Sequence, residues 1–230
     1  MTADIDLSEM GLRESNEMLR KRLESERRVT VANASHLNGL CGGMRRGEVV
    51  VEGDVGDYCG ILNSGGAIIV RGSAGRFLGD NMTSGRIVVE GGAGDGAADY
   101  CYGGSVLIRG SSGDFLGTMN KGATVVVAGN VGDHVGTYMT AGDIIVLGDA
   151  GEMLGDYVIR GSIYIRGSYK SLGNNTKIEK MRSDDIDKLN TVLGGWGISA
   201  NPRSFQKIAP ASSKPFYKEK PAVSQRGLVQ

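Results

Sequence analysis

The 230 residues carry 26 acidic and 26 basic side chains, so the chain has no net charge to draw it to nucleic acid or an anionic membrane. No apolar run is long enough to span a bilayer, and the acidic, polar N-terminus lacks a signal-peptide layout. Three cysteines without paired spacing suit a reducing cytoplasm rather than a disulfide framework or a metal signature, so cytoplasmic localisation is expected.

Residues 1–28 are not repetitive. Ile5 and Leu7 suggest a short extended start, and Ser15 reads as the cap of a helix over 16–27 with Met18, Leu19 and Leu23 on one face. Residues 29–46 read as a degraded coil, in which Val29 and Val31 alternate but the glycine columns that follow are missing. A solenoid needs such an atypical end unit to close its open edge.

From residue 47 to 167 one unit repeats. Gly53, Gly72, Gly91, Gly110, Gly129, Gly148 and Gly167 stand 19 residues apart. Gly56, Gly75, Gly94, Gly113, Gly132 and Gly151 follow three residues on, and Gly60, Gly79, Gly117, Gly136 and Gly155 four after that, with Ala98 the one exception. Each unit opens on a run rich in valine and isoleucine, which favours a strand. Nineteen residues are too few for a strand, a crossover helix and a return, but enough for one solenoid turn with glycine corners. Parallel coils stacked about 4.8 Å apart would make a rod on the order of 34 Å long.

Strand side chains alternate faces, so reading down the columns assigns inside and outside. The columns headed by Val49 (Ile68, Ile87, Val106, Val125, Ile144, Ile163) and by Val51 (Val70, Val89, Ile108, Val127, Val146, Ile165) point inward together. Cys59, Leu78, Ala97, Leu116, Val135 and Leu154 form a third inward column. Outward, Glu52, Arg71, Glu90 and Arg109 alternate in sign as a charge ladder. Between the inward columns, Val50, Ile69, Val88, Leu107, Val126, Ile145 and Tyr164 line an apolar exterior face that something must cover: the chain's own terminal segments, or a partner. Asp57, Arg76, Asp95, Asp114, Asp133 and Glu152 make a further outward column. It is a solvated corner on one reading and a strip for a basic partner on the other.

Residues 174–230 form the C-terminal part. Ser183 reads as an N-cap with Asp184 and Asp185 in the first turn; Ile186, Leu189 and Leu193 share a face, and Gly194-Gly195 ends the helix. From Pro202 the chain is basic and proline-containing and reads as an extended tail, with Phe205, Phe216 and Tyr217 as candidate anchors on a neighbour.

No residues gather into a catalytic, cofactor-binding or metal-binding set. His36 and His134 lack an evident base or metal partner. Gly91-Gly92-Ala93-Gly94-Asp95-Gly96 has the look of a dinucleotide loop, but a strand follows where that fingerprint needs a helix N-terminus.

The unit G-x-x-G-x-x-x-G after a valine–isoleucine strand resembles the GXGXG β-helix family, which closes the large subunit of glutamate synthase. The family also occurs as a separate chain of formylmethanofuran dehydrogenase and formyltransferase/hydrolase complexes. Gly132-Asp133-His134, Tyr138-Met139-Thr140 and Ile144-Ile145-Val146-Leu147-Gly148 are similar to the glutamate synthase version. Asp6-Leu7-Ser8, Leu12-Arg13-Glu14-Ser15-Asn16, Lys170-Ser171-Leu172-Gly173 and Glu179-Lys180-Met181-Arg182 resemble the stand-alone GXGXG chain of N-methylglutamate synthase. Asn38-Gly39 departs from the family in lacking an asparagine-proline-glycine lead-in.

The resemblance implies an all-β fold: a single-stranded, right-handed β-helix of about seven coils over 29–173. It implies a noncatalytic scaffold with no cofactor of its own. That scaffold would dock a class II amidotransferase-like subunit and a glutamate-synthase-like subunit carrying FMN and an iron–sulfur cluster, in a hetero-oligomer turning methylamine and glutamate into N-methylglutamate and ammonia. A one-carbon formyl-transfer complex and a stand-alone structural solenoid are the alternatives.

Overall fold

The computed structural model of the chain describes residues 3–216. Tyr217, an expected anchor, lies outside the described residues. The chain opens with β1 (Ile5–Asp6), α1 (Leu12–Ser25) and β2 (Arg28–Ala34). The repeat supplies β3 (Glu48–Val55), β4 (Ser64–Val70), β5 (Ser84–Val89), β6 (Ser105–Ile108), β7 (Lys121–Val127), β8 (Ala141–Val146) and β9 (Ser162–Ile165). Beyond it come β10 (Thr176–Glu179), α2 (Ser183–Gly195) and β11 (Gln206–Pro210). All the strands join one sheet in the order β1-β2-β3-β4-β5-β6-β7-β8-β9-β11-β10.

From β3 to β9 the pairing is parallel, and Val49, Ile68, Ile87, Val106, Val125, Ile144 and Ile163 stand opposite one another in successive coils. This is the β-solenoid that the 19-residue period predicts. Every member of the Val49 and Val51 columns is fully buried, and the Cys59 column is at most 1% exposed. β2 pairs with β3 twenty residues later (Val29 opposite Val49), so the degraded segment is a true first coil with one extra residue.

Two expectations at the ends need correction. α1 starts at Leu12, capped by Gly11, and Ser15 is inside it. The Ser15 hydroxyl is buried and donates to the Gly11 carbonyl at 2.9 Å, a bond back along the helix that removes it from the cap role. α2 starts at Ser183 with Arg182 as the capping residue; the Arg182 N–H donates to the Asp185 carboxylate at 2.9 Å. The tail also forms a strand. β11 turns back antiparallel against β9, and β10 pairs antiparallel outside it, so the last parallel edge is covered by the chain itself.

The glycine columns answer different constraints. At Gly132, φ is unremarkable, but an added Cβ would lie 2.8 Å from the Asp114 nitrogen and 2.9 Å from the Gly113 carbonyl carbon of the coil below. The obstacle there is close backbone approach. At Gly117, φ is +67°, which favours glycine, and a Cβ would meet the buried Ile144 Cδ1 at 2.7 Å. Ala98 occupies the corresponding corner at φ +59° while fully buried, an L-residue held in the left-handed region.

Candidate docking surfaces

The apolar outer column is covered from within the chain. Val88, Leu107, Val126, Ile145 and Tyr164 form a second buried cluster with Leu189 and Leu193 of α2 and with Phe205; Ile69 packs at its edge. Val50 is also fully buried. The column is therefore not open to a partner, and of the two covers its sequence left open, α2 is the one present. Phe205 likewise anchors the tail on its own solenoid, at 4% exposure, instead of on a neighbour. The physical reason is the helix period: Leu189 and Leu193 stand one turn apart and present one apolar stripe to the flat column.

A polar clamp holds this cover. The Tyr164 hydroxyl donates to Asp185 Oδ1 at 2.7 Å, and Lys207 Nζ reaches Asp185 and Glu179, each at 3.0 Å. Burial pushes Asp185 up, but bonds from the Arg182 N–H, Tyr164 and Lys207 outweigh it and hold its carboxyl below the ordinary value. Burial, reinforced by the bond to Asp185, raises the Tyr164 hydroxyl well above its ordinary value. β9, β10, β11 and α2 thus share one charge network.

The acidic column has a structural role that its sequence hides. Asp57 Oδ1 accepts the Arg76 N–H at 2.8 Å, Asp95 that of Asp114 at 2.9 Å, Asp114 that of Asp133 at 2.8 Å, and Asp133 that of Glu152 at 2.7 Å. Each carboxylate ties its coil to the backbone of the next, which offsets the repulsion between stacked acids. A second column does the same through Asp54, Ser111, Asn130 and Asp149. The charge ladder forms in part: Glu90 pairs with Arg71 at 3.6 Å and Arg109 at 2.8 Å, while Glu52 forms no ion pair among the described residues.

Beside the acids runs an aromatic face. Several coil corners hold two non-glycine residues in the left-handed region, such as Phe115 and Met119 or His134 and Tyr138, at φ between 52° and 62°. This turns their side chains out of the coil. Tyr58 stacks on Phe77 with centroids 4.8 Å apart, Phe115 on His134 at 5.1 Å, and Tyr138 on Tyr157 at 5.6 Å. Phe216, another expected anchor on a neighbour, lies on this face of its own chain, 5.3 Å from Tyr157 and itself 60% exposed. The 19-residue period alone lines up Tyr58, Phe77, Phe115, His134 and Met153 in one outward column. The second column through Tyr100, Tyr138 and Tyr157 was missed.

The remaining titratable groups show no assembled chemistry. Burial pushes the Cys59 and Cys101 thiols up to about 12 and raises Cys41 strongly. Asp99 is raised to about 8 by burial, with Asp80 adding to it and the Thr118 N–H bond opposing it. His36 Nε2 lies 3.2 Å from the Met10 carbonyl. Among the described residues, no group of three or more histidine, cysteine or acidic side chains is placed to hold a metal. None of the helices described is long and apolar enough to cross a membrane.

The repeat, its corners and the helix over it are what a comparison with known families picks out. Residues 98–192 carry the GXGXG motif. The match to that family model runs from Ala98 through most of α2, so it takes in less than half of the chain, the helical cover included. Among solved structures, a chain of the formyltransferase/hydrolase complex (FhcABCD) from Methylorubrum extorquens, in complex with methylofuran, is 27% identical with a TM-score of 0.52. The likeness covers 68% of this chain and 69% of that one. No curated protein matches the chain.

Proposed function

We propose that this chain is a noncatalytic scaffold subunit of a cytoplasmic, multi-subunit enzyme. The observation that carries the reading is the likeness, over two thirds of both chains, to a component of a multi-subunit complex. The fold supports it: stacked coils tied by carboxylate-to-backbone bonds make a rigid body, as a spacer between active sites must be.

The finer reading is a glutamate-synthase-like complex of the N-methylglutamate synthase type, supported by the tail motifs that resemble its stand-alone GXGXG chain. An amidotransferase-like subunit and a subunit with FMN and an iron–sulfur cluster would then carry the chemistry. A formyltransferase/hydrolase complex is the second reading, favoured by the 27% identity to a chain of such an assembly.

Purification of the tagged chain from its native source separates them. A flavin- and iron–sulfur-bearing partner with an amidotransferase-like subunit supports the first, and a formyltransferase partner supports the second. The isolated chain should be colourless and inactive. Bound flavin or turnover by the chain alone would overturn the scaffold reading.

A further inference from the structure

The scaffold reading leaves open where a partner holds on, and the apolar outer column is already taken by α2. The aromatic face is an exposed apolar feature that α2 leaves uncovered. Tyr100, Phe115 and Tyr138 are 39%, 46% and 39% exposed, and large rings at this exposure are normally found where another surface packs.

Along the corners from residue 94 to 157 the charge beside those rings is mostly acidic, with Arg76, paired to Asp57, and Lys121, beside Tyr100 and Tyr102, as the cations at its margin. The corner arcs 94–100, 113–119, 132–138 and 151–157 contain Asp95, Asp114, Asp133, Glu152 and Asp156 at their surface and no lysine or arginine. In Asp95, Asp114 and Asp133 one carboxylate oxygen is committed to the next coil, and the other makes no hydrogen bond among the described residues. The rings themselves already take a cation: Lys121 Nζ stands 4.0 Å from the Tyr102 centroid and 5.6 Å from that of Tyr100. The chain's own segment 211–216, made of bends and a turn, brings Phe216 onto Tyr157 and Tyr138 at one end of the face.

We propose that this aromatic–acidic face is a docking surface for an extended basic segment of a partner protein. Its arginine or lysine heads would lie over the rings of Phe115, His134 and Tyr138 and pair with the free oxygens of Asp95, Asp114 and Asp133. The proposal rests on the scaffold reading only in that the occupant is a protein segment. The stacked rings supply cation–π and apolar contact, and the acid column supplies register, one carboxylate per coil.

The test exploits the ladder. Asparagine keeps the Oδ1 acceptor and removes only the charge, so the triple variant Asp95→Asn, Asp114→Asn, Asp133→Asn separates docking from folding. Fluorescein-labelled octa-arginine is the probe, with octa-glutamate as control, read by anisotropy on the full chain at two salt concentrations. Octa-arginine should bind, weaken with salt, and lose about tenfold in affinity in the triple variant while its melting temperature stays unchanged. Phe115→Asn with Tyr138→Asn, residues that tolerate the same left-handed backbone, should weaken binding severalfold at either salt concentration.

Equal binding by wild type and triple variant would overturn the proposal. So would octa-arginine binding that appears only in Phe216→Ala, because the chain's own tail would then be the occupant. A salt-sensitive dimer broken by the triple variant would assign the face to a second copy and overturn it too. Native purification keeps the two readings apart. A wild-type chain with no partner sinks the scaffold, whereas an intact complex with the triple variant sinks only this surface.

Discussion

Replacing Gly132 with alanine tests the stacking account at one atom. The added Cβ would sit 2.8 Å from the Asp114 nitrogen and 2.9 Å from the Gly113 carbonyl carbon, against an ordinary contact of 3.4–4 Å. The nearest atom to that Cβ is Asp114 Oδ1, which must swing aside, and the backbone of the coil below must then give by about 0.6 Å, the difference between 3.4 and 2.8 Å. That opening strains two bonds between the coils, Gly132 N–H to the Gly113 carbonyl at 3.2 Å and Asp133 N–H to Asp114 at 2.8 Å. Overpacking of about 1–3 kcal/mol and two weakened hydrogen bonds at about 1 kcal/mol each give an expected loss of about 2–5 kcal/mol. The control is Gly194→Ala in α2, where a Cβ meets nothing within 4 Å and helix propensity improves by up to about 1 kcal/mol. Urea unfolding at equilibrium measures both. A Gly132→Ala variant within about 0.5 kcal/mol of wild type, or as stable as Gly194→Ala, would refute the close-approach argument.

Other outcomes follow from the same contacts. Leu189→Ala, beneath α2, should cost about 2–4 kcal/mol and raise binding of a hydrophobic dye as the outer column opens; unchanged unfolding would mean the helix is not a cover. Asp114→Ala should lose about 1 kcal/mol while Asp114→Asn stays near wild type, and equal losses would deny the carboxylate its bond to the Asp133 N–H. Asp99, raised to about 8 from an ordinary 3.8, keeps its proton in the fold where the unfolded chain has lost it. Its effect is thus most favourable below pH 4 and is lost as pH rises towards 8, so Asp99→Asn should match wild type in acid and exceed it by a few kcal/mol at pH 9. A variant no more stable at pH 9 would show that Asp99 is not held neutral.

The solenoid was legible because its constraint repeats. A valine at 49 says little, but the same class of residue at 68, 87, 106, 125, 144 and 163 can only be a buried stack, and each member is fully buried. What covers the Val50–Tyr164 column was not legible, because cover depends on where a nonrepeating helix lands. Leu189 and Leu193 showed an apolar stripe but not its target. The structural role of the acid ladder was not legible for a related reason: sequence gives the charge of Asp114, and only the register across coils brings its oxygen to the Asp133 nitrogen. β11 was read as part of an extended basic tail and β10 was not read as a strand, since four- and five-residue strands lack a period of their own and form here because β9 offers an open edge. The left-handed corner residues, aromatic in half the cases, run against the expectation that glycine takes such positions.

The scaffold claim is met most directly by native mass spectrometry of the tagged full-length chain isolated from its source. The account predicts a hetero-oligomer in which this chain is one component and every flavin or iron–sulfur centre resides on another. A lone monomer, or a cofactor travelling with this chain after the subunits are separated, would contradict it.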